Sequence, residues 1–461
     1  MKTIREPSRQ VPIIGDFDVA VVGGGPGGWP AAIAAARLGA RVLLVERYGF
    51  LGGLATAGFI GPILGHKVYG TEAEPAIGGI AEELCRRMAD LGGAVPWEES
   101  LKQWGVPFDV ETMKYVLDRM VEEAGITLRL HTLNVDAVVT ASRIDAAILE
   151  SKSGREAVAA RAFVDATGDA DLAFRAGAAL TKGRSADGAM QSMGSMFRIG
   201  GVGEMSQEDR KLGQEHLSEA IESGRLYMYN PGTGHQGSTL RDDELTPNVT
   251  RAAGDPTDAD SLTAAELKVR RETWDIVRFY RDRVPGLQNA YLIATPTQVG
   301  PRESRQVVGE SRITGDDVRA GAKSDDSIAR CAYWIDIHCP LGRVVNRTHL
   351  CSIQCPNDPP CIMFESFKAD LPDELYPPEG DYFSIPYGCL LAKGMDNLLV
   401  SGRCVSADHQ AMAATRVMGT CMAIGQAAGT AAAMSADQGV PARELAVAAL
   451  RKTLTDSGHL V

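Results

Sequence analysis

The sequence predicts an α/β fold: a parallel sheet with a small β-meander, interrupted by an inserted mixed α+β domain. Three observations predict it. A strand–turn–helix–strand–acid unit runs from Asp18 to Glu46, DVAVVGGGPGGWPAAIAAARLGARVLLVE. A second apolar run enters a glycine turn at Ala162–Asp169, AFVDATGD, and a third does so at Asn397–Arg403, NLLVSGR. Between the last two, from about Thr181 to Phe383, glycine turns and polar loops replace long apolar runs.

In the first unit, Val19 to Val22 has the length and composition of a buried parallel strand. Gly23, Gly25 and Gly28 follow at G-x-G-x-x-G spacing. The first glycine permits a tight turn, the second lets backbone approach a pyrophosphate, and the third lets helix pack on strand. A helix is expected from about Ala31 to Leu38, stopped by Gly39. Its N-terminus offers unsatisfied N–H groups and a positive dipole end to phosphates. Pro30 sits early in this pattern, where a missing N–H costs a bond unless the helix has just begun. Arg41 to Val45 is the second strand, and Glu46, 18 residues after Gly28, is placed to accept hydrogen bonds from a ribose. Together these residues describe a Rossmann-type dinucleotide site.

The run after Glu46, RYGFLGGLATAG, narrows the dinucleotide to FAD. Small residues there leave room for a pyrophosphate and a flat ring system, where an NAD dehydrogenase would proceed to its next helix. On these residues the chain resembles the glutathione-reductase-like FAD oxidoreductases. Within them it is similar to the FAD-dependent oxidoreductases related to the flavin subunit of heterodisulfide reductase. The resemblance implies FAD contacts from Arg47, Gly53 and Thr56, and from near Val135 beside the adenine. It implies that Thr167, Gly168 and Asp169 return the chain to the adenosine and pyrophosphate. It gives Gly402 and Arg403 the same region, with Arg403 at the pyrophosphate or favouring reduced flavin. The last alanine-rich helix, with Met418 and Gly419 at its start, then points its positive end at the flavin pyrimidine.

The expected organisation is an FAD-binding first segment at 16–75, a helical segment at 76–125 and a second FAD-binding segment at 126–175. A substrate domain at 176–383 and a C-terminal FAD-binding segment at 384–461 follow, with residues 1–15 as a loose arm. Residues 78–93 read as an amphipathic helix with Cys85 on its apolar face, and Asp109 as the cap of the next helix. Residues 231–261 read as surface loop, and Ala264–Val284 as a long helix.

Three residues are candidates for catalysis. Arg302 lies in PRESRQVVG, where the resembled group carries Arg-Glu-Ser-Arg-Arg and this chain ends in Gln306. A guanidinium fork can orient a carboxylate or stabilise anionic reduced flavin; structural pairing of Arg302 and Arg305 with Glu303 and Glu310 is the alternative. His338 ends a strand-like Tyr333–His338, with Asp336 on the same face to orient it as acid or base. His409 begins the run before the last helix and is the first-choice catalytic histidine by resemblance, against a purely capping role. His66 faces either the flavin or the core.

Cys339, Cys351, Cys355 and Cys361 fall in a loop at 338–361 with spacing C-x11-C-x3-C-x5-C. This matches no standard metal pattern, so zinc, an iron–sulfur cluster, reduced thiols and a redox disulfide all remain open.

The net charge of −12 disfavours nucleic acid and anionic membrane as partners. No apolar run reaches spanning length, and the N-terminus lacks a signal core and a twin-arginine pair. A cytoplasmic protein is expected, with thiols rather than structural disulfides among its nine cysteines. No second G-x-G-x-x-G follows a strand-like run, and no C-x4-C pair follows Glu46. The expectation is an FAD-dependent dehydrogenase or oxidase that takes hydride from a small polar, hydroxyl- or amine-bearing metabolite and passes electrons to a non-NAD acceptor or oxygen. The alternatives are an electron-transfer subunit with a partner protein and a cluster in the cysteine loop, or a tRNA-modifying flavoprotein. An oligomer is compatible with either.

Overall fold

The computed structural model describes residues 2–185, 187–229, 231–232, 239–340 and 375–461. Its centre is a seven-stranded sheet. Strands β1 (Ile13–Val22), β2 (Val42–Val45) and β3 (Thr127–Arg129) lie side by side in parallel, with Val19 opposite Val42 and Val22 opposite Val45. The order continues through β6 (Gly154–Asp165), which pairs with β1 in parallel, so that Val22 faces Asp165. The strand Leu398–Val400 joins the far side of β6, also in parallel.

β6 is long enough to belong to two structures. Its C-terminal half is in the parallel sheet; its N-terminal half closes an antiparallel meander with β5 (Arg143–Ser151) and β4 (Leu133–Thr140). Asn397 ties the meander to the C-terminal segment, its side chain accepting from Ile144 N and donating to Ile144 O, both at 2.9 Å. The carboxyl ends of β1, β2, β6 and Leu398–Val400 therefore finish at one edge, where open parallel sheets bind ligands.

Helix α1 (Trp29–Arg37) crosses from β1 to β2, and Trp29 to Ile33 are buried. It starts two residues earlier than the sequence suggests, which puts Pro30 in its first turn, where no hydrogen bond is lost. Against α1 lies the helix Met418–Gln438, which is buried almost throughout. A Cβ at Gly425 would lie 2.5 Å from Gly27 O, and one at Gly429 only 1.9 Å from Ala31 O. Two helices approach backbone to backbone here because both surfaces are Gly and Ala.

The alanine-rich C-terminal run is not one helix. His409–Thr415 and Met418–Gln438 meet at 91°, and the break turns Arg416 and Val417 inward. No single helix among the described residues is long and apolar enough to cross a membrane.

A second core holds Phe197, Ile199, Leu217, Ile276 and Tyr280. It lies under helices Gln207–Glu222 and Ala259–Arg283 and a three-stranded sheet of Tyr291–Ala294, Arg198–Gly200 and Glu244–Leu245. Ile313, Val318, Ile328 and Ile337 instead pack into the main core, because Ser327–Cys331 pairs with Phe383–Pro386. The stretch read as surface loop is partly interior. Met193 and Ala252 exchange both backbone bonds, and Thr250 Oγ1 bonds Ser195 N and O, so Thr246, Thr250 and Arg251 are buried. Tyr333–His338 is irregular chain rather than strand.

Candidate active site

One cavity runs along the carboxyl edge of the sheet. Its first part is a cleft of glycine and backbone. Gly23, Gly25, Pro26, Gly27, Gly53, Gly168 and Gly402 line it, with Glu46, Arg47, Thr167 and Arg403. Gly23 has φ +102°, and a Cβ there would strike Ala166 O at 2.4 Å. Gly28 is not in the lining. It is the point where helix meets strand, and its Cβ would fall 1.7 Å from Gly23 O. Gly25 differs: a Cβ there meets only Gly53 Cα, at 3.6 Å. α1 begins at Gly28 with no side-chain cap, so its positive end lies open beside the cleft lining at Gly25–Gly27.

Glu46 is buried and accepts from Gly24 N at 2.7 Å and Tyr48 N at 2.9 Å. Burial pushes its carboxyl up, opposed by those two N–H groups. Arg47 Nη2 and the Tyr48 hydroxyl both donate to Gln298 Oε1 across the cleft. Thr132, Leu133 and Asn134 wall this end. Val135 turns away and packs with Ala146, Ile148 and Ala157, because successive strand residues face opposite sides.

Three other expected contacts act one step removed. Thr56 Oγ1 donates to Leu51 O at 2.7 Å and holds the glycine turn. Gly419 gives the loop at Leu64–Gly65 room, since a Cβ would sit 2.7 Å from Leu64 O. Asp169 accepts from Ser304 Oγ at 2.7 Å and Arg403 Nη2 at 3.3 Å, so it positions Arg403. Asp171 reaches the lining itself, with its carboxyl pushed up to about 6 by burial and by Asp169 and Asp165. Arg305 pairs with it.

The second part of the cavity is a polar chamber. Tyr333, Asp336, His338, Asn248, Arg302 and Arg416 line it, and Val417, Met418 and Cys421 bring in the N-terminus of the last helix. Arg302 is 7% exposed; its Nη1 donates to Ser192 O at 2.8 Å and its Nη2 to Asn248 Oδ1 at 3.3 Å. The expected pairing of Arg302 and Arg305 with Glu303 and Glu310 does not occur. Along Arg302–Arg305, successive side chains go to the chamber, to His409, to Asp169 and to Asp171.

His338 is 4% exposed. Its Nδ1 lies 3.3 Å from Arg251 Nη2, and its Nε2 lies 3.4 Å from Asp336 Oδ2. A guanidinium has no acceptor, so Nδ1 accepts and the ring carries its proton on Nε2. Burial and the charges of Arg302 and Arg251 hold its pKa well below the usual imidazole value; Asp336 opposes them. Asp336 Oδ2 also accepts from Arg416 Nη2 at 3.1 Å.

His409 stands off the lining. Its Nδ1 lies 2.8 Å from Glu303 Oε2, and Glu303 in turn accepts from Gln191 N. The 91° break explains this: it sends Arg416 rather than His409 into the chamber. His66 is also structural, with Nε2 2.9 Å from Ser100 O and a pKa lowered to about 4 by burial. Cys351, Cys355 and Cys361 lie outside the described residues, as does His349. Cys339 is buried, and among the described residues no group of three His, Cys, Asp or Glu side chains could hold a metal.

A family model described as FAD dependent oxidoreductase matches residues 18–454. The chain belongs to that family. The cleft fits the cofactor. Gly23, Gly25, Gly53 and Gly402 leave no side chain between backbone and a diphosphate, the uncapped α1 puts its positive dipole end beside it, and Arg403 supplies charge. Over 45 residues the chain is 58% identical to a dihydrolipoyl dehydrogenase of Trypanosoma brucei brucei, covering 10% of this chain and 9% of that protein. Over 39 residues it is 54% identical to a mitochondrial dihydrolipoyl dehydrogenase of Schizosaccharomyces pombe, covering 8% of each. The match thus spans less than a tenth of these curated relatives' lengths. Among solved structures it is similar to a geranylgeranyl bacteriochlorophyll reductase-like protein of Thermoplasma acidophilum, at 12% identity and a TM-score of 0.41. That alignment covers 96% of this chain and 84% of that one.

Asn248, Gln298, Tyr333 and Arg416 are the site residues sequence reasoning misses. Arg416 had a signal: it directly precedes the helix already assigned to the flavin. Asn248 and Gln298 had none, sitting in polar loop sequence.

Proposed function

We propose that this family member is a dehydrogenase or oxidase that removes hydride from a small polar metabolite in the Arg302–Asp336–His338–Arg416 chamber. The observation that carries this reading is the continuity of that chamber with the glycine cleft. Bound FAD supplies a two-electron hydride acceptor. The chain's own residues supply the rest. Walls of Tyr333, Val417 and Met418 limit water, and Arg403 with the uncapped α1 terminus carries the diphosphate.

The acid–base roles follow from the tautomer. Arg251 occupies His338 Nδ1, so His338 donates and Asp336 is the group that accepts a proton from a hydroxyl or amine. His338 and Arg416 hold that carboxylate in place. This exchanges the two roles expected from sequence, where His338 was the base and Asp336 its orienter. The three glycine motifs also support the finer kinship to glutathione-reductase-like and heterodisulfide-reductase-related flavoproteins. A non-NAD acceptor is favoured by the lack of a second dinucleotide motif.

The test is anaerobic mixing of the flavin-loaded protein with panels of hydroxyl- and amine-bearing metabolites. The reading expects bleaching of the oxidised flavin by at least one class, slowed about 100-fold or more in Asp336→Asn with FAD retained. Bleaching at wild-type rate in that variant would refute the assignment.

A further inference from the structure

Among the described residues, Arg302 and Arg251 lack the carboxylate partners that buried arginines normally have, while Arg416 pairs with Asp336. Arg302 is held by Ser192 O and Asn248 Oδ1, both neutral. Arg251, 2% exposed, is held by Thr250 O at 2.6 Å and Asn248 Oδ1 at 3.0 Å, with the Tyr229 ring 3.9 Å beneath it. Among the described residues neither makes an ion pair with a carboxylate. The nearby acids are committed elsewhere: Glu303 to His409, Glu272 to Lys268, and Asp336 to Arg416 and His338. Among the described residues three guanidiniums therefore face one carboxylate, in a chain whose net charge is −12. Buried charge is retained at this cost where something pairs with it.

We infer that the chamber binds an organic carboxylate, with the substrate's anionic group seated on Arg302 in the field of Arg251 and Arg416. This rests on the proposed function and names its substrate class. Arg302 lines the cavity with a planar fork suited to a carboxylate, Arg416 borders it, and Arg251 lies behind His338. Burial, then Arg251 and Arg416, pushes the Arg302 guanidinium well down from its usual value, as expected of a cation awaiting a partner. The same anion would offset the Arg302 and Arg251 charges that now depress His338.

The experiment titrates flavin-loaded protein with succinate, with its neutral diamide succinamide, and with sodium chloride at matched ionic strength. Flavin absorbance and calorimetry are both followed. Succinate is expected to bind saturably and to perturb the flavin, while succinamide and chloride do not. In Arg302→Gln the succinate Kd should rise about 10- to 100-fold, the loss of a charge-assisted pair. Arg302→Lys should recover part of it. Should Arg302→Gln lose FAD or fold, the wild-type contrast of succinate with succinamide and the Lys variant decide. Equal response to acid and diamide, or no binding of succinate, overturns the inference. Succinate binding without any carboxylate that reduces the flavin would uphold the anion site and sink the dehydrogenase reading. Bleaching by neutral alcohols with no succinate binding would do the reverse.

Discussion

Gly25 and Gly28 belong to one motif yet should fail in different ways when changed to alanine. A Cβ at Gly28 falls 1.7 Å from Gly23 O, 2.8 Å from Gly23 C and 3.1 Å from Ala166 Cβ. Two of these neighbours are backbone and cannot rotate away. Relief needs a shift of roughly 1.5 Å between the end of β1 and the start of α1. Overpacking typically costs about 1–3 kcal/mol, and a clash with backbone belongs at or above the upper end. A Cβ at Gly25 meets only Gly53 Cα at 3.6 Å, an ordinary contact, and Gly25 lines the cleft. Gly25→Ala should therefore fold within about 1 kcal/mol of wild type. Its methyl intrudes instead on the space for the diphosphate, weakening FAD by about 1–3 kcal/mol, or roughly 10- to 100-fold in Kd. The assay pairs thermal melts of the flavin-free proteins with FAD titration by fluorescence quenching. Gly28→Ala should lose stability and FAD together; Gly25→Ala should lose FAD alone. Wild-type FAD affinity in Gly25→Ala, or equal melts for the two variants, would refute this division.

Three further outcomes are expected. His409→Asn should lower stability through loss of the buried Glu303 pair but leave flavin reduction within about threefold, whereas His338→Ala should slow it about 100-fold with FAD retained; stopped-flow reduction separates them. Stability should fall as pH drops from 6.5 towards about 4, because His66 and His459 are buried neutral and only the unfolded chain binds their protons there. Each imidazole contributes a slope of about 1.4 kcal/mol per pH unit, so His459→Gln should flatten urea-derived stability in that window, and an unchanged slope would reject it. Gly429→Ala should cost about 3 kcal/mol or more, since its Cβ would enter Ala31 O at 1.9 Å; a melt equal to wild type would show that α1 and the last helix are not in backbone contact.

The cofactor half of the molecule was legible because its chemistry is local. Gly23, Gly25 and Gly28 are set by a turn that spans six residues, and Glu46 by the next strand end. The chamber was less legible because its residues come from distant segments, Asn248, Arg302, Asp336 and Arg416. Its roles depend on a contact no spacing reveals, that of Arg251 with His338 Nδ1. His409 misled for a related reason. Resemblance puts it at the flavin, whereas the turn at Arg416 and Val417 leaves it off the cavity lining and paired with Glu303. Val135 illustrates the period of two: a one-residue offset exchanges the cleft face for the meander's other side.

The most direct test of this account is a crystal structure of the flavin-loaded protein. It should hold FAD with the diphosphate between α1 and Gly402–Arg403 and the ring beside Val417 and Met418, with Arg302, Asp336 and His338 within hydrogen-bond reach of one shared space beside it. A ring directed away from that chamber, leaving Arg302 and His338 remote from it, would contradict the account.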